Sequence, residues 1–77
     1  MRFRLAGRDV ELAPEDLAKA AWGLKPAPVR KYAIEVGGRR YPPKQLVARM
    51  TGLGLSEFTT QEAIRVMRVL GAELVRL

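Results

Sequence analysis

The sequence contains no cysteine, no histidine and no asparagine. Without cysteine, the chain has neither a disulfide framework nor a thiolate metal site. Any metal would need carboxylate ligands, and the eight acidic residues are scattered along the chain, so we expect no metal and no cofactor. The absence of these three residue types, together with ten arginines, suits a thermophile or a GC-rich genome and predicts a thermostable protein.

The sequence also lacks long apolar runs and candidates for catalysis. No stretch approaches the roughly 20 apolar residues of a membrane span, and the first residues lack the apolar region of a signal peptide. We therefore expect a cytoplasmic protein without membrane contact. General acid–base catalysis usually relies on histidine or on a carboxylate with a shifted pKa. Here each acid has a structural role that explains it, so we expect no enzymatic activity.

What the chain does contain is enough apolar sequence for one small core. Its 77 residues are 48% hydrophobic, which predicts a single domain over residues 1–77. Period-2 and period-3.6 patterns alternate in the order ββ-α-ββ-α-α-β. This order predicts an α+β fold with two hairpins, three helices and a final strand.

The second hairpin, at residues 32–41, is the best-defined unit. The Gly37-Gly38 pair suits a type I′ turn, because both glycines tolerate positive φ. In that register Ile34 faces Tyr41 in the core. Glu35 then faces Arg40 on the solvent side as an opposite-charge pair.

The first hairpin, at residues 2–12, is predicted in the same way. A type II′ turn at Gly7-Arg8 would pair Leu5 with Val10 and Phe3 with Leu12 in the core. The same register would place Arg4 opposite Glu11. Both hairpins would then carry an arginine–glutamate pair on the solvent face.

The three helices have recognisable starts, ends and apolar stripes. Pro14 suits the first position of a helix, the second helix is expected over residues 43–51, and Thr59 with Glu62 has the spacing of a capping box. The third helix should bury Ala63, Ile64, Met67 and Leu70, widened by Val66 and Val69. Trp22 has two interpretations: it closes the edge of the core, or it provides a stacking surface for a base or a partner.

The net charge of +6 predicts attraction to a polyanion, with nucleic acid as the first candidate. The cations lie around the second hairpin and on two helical faces that also carry glutamine, a side chain that can contact base edges. Among them Arg39 and Lys44 are the leading candidates, because Arg40 is expected to pair with Glu35. The candidate DNA-binding residues are Arg30, Lys31, Arg39, Arg40, Lys44, Gln45, Arg49, Arg65 and Arg68.

A motif supports this interpretation. It consists of Tyr32, Gly38, Tyr41-Pro42, Lys44, Phe58 and Leu70-Gly71. Over residues 31–75 the pattern resembles the small DNA-contacting module of methyl-directed (type IV, McrA-like) HNH restriction endonucleases, with the hairpin at 2–12 as an addition. The resemblance implies a module that contacts double-stranded DNA while a separate HNH domain cuts. Because this chain has no histidine, the resemblance implies binding without cleavage, alongside a nuclease partner.

Two other functions fit the composition. A protein-interaction or homo-oligomerisation module would use Trp22 and the edge of the first hairpin, with a homodimer as one outcome. RNA binding is the third possibility. The few aromatic residues, 6% of the chain, do not form the stacking platform common in single-strand readers.

Overall fold

A computed structural model describes residues 1–77 and shows five strands and three α-helices. The strands are β1 (Arg2–Leu5), β2 (Arg8–Glu11), β3 (Tyr32–Val36), β4 (Arg39–Tyr41) and β5 (Glu73–Arg76). The helices are α1 (Pro14–Ala21), α2 (Pro43–Thr51) and α3 (Thr60–Val69), with a 3-10 turn at Leu55–Glu57. The α+β class and the order ββ-α-ββ-α-α-β confirm the predicted fold.

The strands form two separate antiparallel sheets. β1 and β2 make a two-stranded sheet, while β3 lies between β4 and β5 in a three-stranded one. β5 returns after α3 and pairs along β3, with Ile34 opposite Leu74 and Ala33 opposite Val75. None of the helices has the length and the apolar character that a membrane crossing requires.

The second hairpin has the predicted register. Ile34 faces Tyr41, Glu35 faces Arg40, and both turn glycines have positive φ. The Arg40 Nε lies 3.3 Å from the Glu35 carboxylate and donates a hydrogen bond to it. The Tyr41 hydroxyl reaches the end of α1, where the carbonyl oxygens of Ala21 and Leu24 lie 3.2 and 3.3 Å away. The hairpin is thereby fixed against the first helix.

The predicted register of the first hairpin is wrong by two residues. The turn falls at Ala6-Gly7, whose φ angles of 53° and 73° are those of a type I′ turn. Phe3 therefore faces Val10 rather than Leu12, Leu5 faces Arg8, and Arg4 faces Asp9 instead of Glu11. A shift of two residues keeps every side chain on its predicted face, because strand side chains alternate with period 2.

The observed register brings more opposite charges together than the predicted one. The predicted register gives one arginine–acid pair, whereas the observed one gives two: Arg4 with Asp9 at 3.6 Å and Arg2 with Glu11 at 3.9 Å. The cost is a left-handed backbone conformation at Ala6, which a non-glycine residue seldom adopts.

One hydrophobic core joins both sheets to the helices. The first hairpin contributes Phe3, Leu5 and Leu12, which pack in the same cluster as side chains from the second hairpin and from α2 and α3. The first hairpin is therefore a structural part of the domain.

The start of α3 has the predicted capping box, but one residue of this helix was wrongly predicted to be buried. The Thr59 hydroxyl accepts from the Glu62 backbone N–H at 3.1 Å, and the Glu62 carboxylate accepts from the Thr59 N–H at 2.9 Å. This is the expected capping box. Val69, predicted to widen the buried stripe, is instead 52% exposed, because it lies four residues after Arg65 on the exposed face of α3.

Candidate functional site

A cationic groove runs between the chain segment before β3, the start of α2 and the exposed side of α3. Its two parts have volumes of about 670 and 370 Å³ and share the side chains of Tyr32 and Gln61. We call this surface the basic groove. Its cationic lining residues are Arg30, Lys31, Lys44, Arg65 and Arg68.

No acidic side chain lines the basic groove. The side chains of Arg30, Lys31 and Arg68 form no ion pair and no hydrogen bond within the protein. By contrast, the arginines of the first hairpin and Arg40 have acidic partners. Four of the 14 cationic side chains have acidic partners; of the ten that do not, five line the basic groove, and the other five lie elsewhere on the surface.

Lys44 lies in the first turn of α2, at the positive end of the helix dipole. That turn contains no acidic residue, so the dipole and the ammonium group repel each other. The ammonium nitrogen lies 5.4 Å from the centroid of the Phe58 ring, a cation–π contact that holds it in place. A bound anion would relieve the repulsion at this position.

Arg65 has a structural contact as well as a place in the groove. Its guanidinium donates a hydrogen bond to the Arg4 carbonyl oxygen at 3.3 Å, linking α3 to β1. Of the five groove cations, Arg65 is therefore the one whose replacement would also disturb the packing of the first hairpin.

Arg39 lies in a different groove, of about 640 Å³, which shares no lining residue with the basic groove. We call it the Trp22 groove. Its main lining residues are Ala18, Ala21, Trp22, Val36, Arg39 and Tyr41. Trp22 is 85% exposed, so the interpretation that it closes the edge of the core is wrong. The structure thus separates Arg39 from Lys44, although the sequence placed them at one corner.

Three other candidate residues lie outside both grooves. Arg40 is paired with Glu35, as expected, and Arg49 is exposed on α2 without a partner. The Gln45 amide binds the backbone of the segment between α1 and β3. It accepts from the Ala27 N–H at 2.9 Å and donates to the Lys25 carbonyl at 3.0 Å. Gln45 therefore holds this segment against α2 and does not present a free amide to a ligand.

Replacing Gln45 with alanine is expected to lower stability by about 1 kcal/mol, because two hydrogen bonds to the backbone are lost. For a domain of this size that corresponds to a fall in Tm of about 4–8 °C. Gln45→Glu keeps the acceptor for the Ala27 N–H and loses the donor to Lys25, so its Tm should lie between the two. Thermal unfolding followed by circular dichroism measures both. An unchanged Tm combined with weaker DNA binding would instead support the base-reading role predicted from the sequence.

The sequence placed Tyr32 in the motif but did not identify it as a candidate contact residue. As the first residue of an alternating strand it is expected to face the core, yet it is only half-buried and lies where the two parts of the basic groove meet. Its position at the start of β3, directly after Arg30 and Lys31, is the sequence feature that could have indicated a place beside these cations. Gln61, the other residue shared by the two parts of the groove, lies on the same helical face as Arg65 and Arg68, as the sequence predicts.

One carboxyl group has a shifted pKa, and it lies on the first hairpin. The ammonium group of Met1 is 2.7 Å from the Glu11 carboxylate, and this hydrogen bond and its charge hold the pKa of Glu11 below its usual range. The stabilisation from this pair is present above the normal carboxyl pKa and is lost as the pH falls through the lowered pKa. Glu11 lines neither groove.

The fold and the two grooves define a small α+β domain with a groove lined by five cations. The chain belongs to the SCO5918-like family, whose model matches residues 1–76. This match includes the first hairpin, in agreement with its contribution to the core. Comparison with curated proteins and with solved structures gave no match.

Proposed function

We propose that the protein is a non-catalytic, cytoplasmic module that binds double-stranded DNA through the basic groove. The observation that carries the proposal is the concentration of five cations in one groove without a lining acid. Phosphate groups are the natural counterions of such a surface. The exposed Gln61 amide in the middle of the groove adds a group able to contact a base edge.

The choice of DNA over RNA rests on the resemblance to the McrA-like module. Tyr32 and Lys44, two residues of that motif, both line the basic groove. In a restriction-related system the protein would supply binding, and a separate nuclease would supply cleavage. RNA binding remains the alternative, and competition between duplex DNA and duplex RNA for the same site distinguishes the two.

The test is a salt titration of a fluorescently labelled duplex followed by anisotropy. If each of the five cations contacts one phosphate, log K should fall with log salt at a slope of about −4.5. Raising the salt from about 50 to about 200 mM would then weaken binding about 500-fold. Absence of binding at the lower salt concentration would refute the proposal, and a slope near zero would show that the groove is not the contact.

A second candidate function is supported by one observation, the 85% exposure of Trp22. An exposed tryptophan is typical of protein–protein contacts, which are enriched in aromatic side chains. The module would then bind a partner protein or a second copy of itself. Analytical ultracentrifugation of the wild-type chain and of Trp22→Ala tests self-association: a dimer that the substitution dissociates would favour this function.

A further inference from the structure

Trp22 is the only tryptophan of the chain and its most exposed large hydrophobic side chain. The other large aromatic residues behave differently. Phe3, Tyr41 and Phe58 are between 2% and 8% exposed, and Tyr32 is half-buried. Burial of an indole ring is among the largest stabilising contributions available to a small domain. The domain leaves this contribution unused at Trp22, so the ring is accessible to a ligand or a partner.

The ring borders a shallow groove that is open to solvent. Trp22 follows the last residue of α1, and the small side chains of Ala18 and Ala21 lie along the helix beside it. Val36 and Arg39, on either side of the Gly37-Gly38 turn, provide the opposite side. The volume of about 640 Å³ falls in the range of small-ligand sites.

The floor of the Trp22 groove is rigid. The Tyr41 hydroxyl binds the backbone at the end of α1, which holds the hairpin at a fixed position relative to the residues around Trp22. The turn itself needs two glycines with positive φ, and neither has a side chain that would narrow the groove. The separation between the backbone at Trp22 and the backbone at Arg39 is therefore set by the fold.

The charges around this groove are of one sign. Arg39 is its only charged lining residue, and it makes no ion pair and no hydrogen bond. Lys19 is exposed in the last turn of α1, three residues before Trp22. An occupant that complements this groove has a flat apolar part for the indole and a negative charge for the guanidinium.

We propose that the Trp22 groove takes an unpaired nucleobase, stacked on the indole of Trp22, with the adjoining phosphate on the Arg39 guanidinium. This inference rests on the proposed nucleic-acid binding. Bases inside a duplex have no free face, so the ligand is a single-stranded segment, a loop or an extruded nucleotide. The nucleobase is favoured over a protein side chain because the same molecule meets both requirements of the groove, a flat ring and an adjacent anion.

The fluorescence of Trp22 tests the inference directly, because no other tryptophan contributes to the signal. The ligands are a single-stranded DNA of about 12 nucleotides, its blunt duplex, and an abasic strand of the same length with the same phosphates. We expect the single strand to quench the emission and the abasic strand to leave it unchanged. The duplex should bind through the basic groove with little quenching.

Variants give the same test without relying on fluorescence. Trp22→Ala removes the ring on which one base would stack, so it should weaken single-strand binding about 5- to 150-fold. Trp22→Phe keeps an aromatic ring and should weaken the binding less. Arg39→Ala should weaken it as well, while duplex affinity stays unchanged in the two Trp22 variants, which keep the net charge. Because Trp22 and Arg39 are exposed and have no partners, the variants should unfold at the wild-type Tm, which circular dichroism checks.

The outcomes separate this inference from the proposed function. If the duplex binds with the expected salt dependence but Trp22→Ala binds the single strand as tightly as the wild type, the inference is overturned and the function stands. If neither nucleic acid binds at low salt, both fail. A dimer that dissociates in Trp22→Ala would show that a second copy occupies the groove, and it would also overturn the inference.

Discussion

The double substitution Lys44→Ala with Arg68→Ala is expected to weaken duplex binding about 200-fold at about 50 mM salt and about 20-fold at about 200 mM. The two residues line different parts of the basic groove, so the variant tests whether both parts contact one ligand. The slope of log K against log salt should change from about −4.5 to about −2.7.

The reason for this dependence is counterion release. Each cation that neutralises a phosphate frees about 0.9 of a condensed counterion, so the loss of two contacts lowers the slope by about 1.8. The effect on affinity is larger at low salt, because the release of counterions is then more favourable. Anisotropy titrations at four or more salt concentrations measure slope and affinity together.

The matched control is Lys19→Ala with Arg49→Ala. It removes the same net charge from two exposed helical positions, neither of which lines the basic groove. We expect its duplex affinity to fall much less than that of the groove variant. Equal losses in the two variants would mean that binding depends on net charge alone, and the assignment of the groove would be wrong.

Stability should not account for the loss in the groove variant. Lys44→Ala removes a cation–π contact of about 0.5–1 kcal/mol, but it also removes a positive charge from the start of a helix, which offsets a similar amount. Arg68 is exposed and has no partner. The Tm of the double variant should therefore stay within a few degrees of the wild-type value.

The largest effect on stability is expected from Leu5→Ala, which should lower the free energy of unfolding by about 2–5 kcal/mol. Leu5 is fully buried, and it packs in the core that joins the first hairpin to the helices. A chain of this length has a total stability of about 4–12 kcal/mol, so the variant would unfold at ambient temperature only if the wild-type stability lies near the lower end of that range. The Tm should fall by at least about 8 °C.

Leu55→Ala is the matched control, because it makes the same chemical change at a side chain that is 55% exposed. We expect a loss below about 0.5 kcal/mol. Urea denaturation of both variants measures the difference. Similar midpoints for the two would mean that the first hairpin is an appendage to the core, as the shorter motif at residues 31–75 suggested.

The two hairpins show what the sequence determines and where it falls short. Gly37-Gly38 leaves little choice of turn, so pattern and turn chemistry agree on one register. In the first hairpin the single turn glycine, Gly7, fits either a type II′ turn at Gly7-Arg8 or a type I′ turn at Ala6-Gly7. The sequence favours the type II′ turn, because it places no residue other than glycine at positive φ. The structure accepts positive φ at Ala6 and gains a second ion pair. Whether the ion pair offsets the strain at Ala6 depends on interaction energies that the pattern of residue types does not give.

The same limit applies to the site. The sequence identified the basic residues but treated Arg39 and Lys44 as one corner because they are close in the chain. Tyr41 and the two prolines turn the chain between them, and the side chains line separate grooves. Gln45 looked exposed because its partners, the backbone groups of Lys25 and Ala27, are about 20 residues away. Such contacts follow from the tertiary fold.

The outer edge of β4 has a consequence for behaviour at high protein concentration. An unpaired strand edge is a template on which a second chain can add a strand and begin fibril growth. This edge is three residues long, two of them arginines, and it is followed at once by Pro42 and Pro43. Arg39, which has no acidic partner, repels an approaching copy, and proline supplies no N–H to continue the ladder. Growth of the three-stranded sheet by self-addition is thereby disfavoured on the β4 side, which leaves β5 as the edge open to an incoming strand.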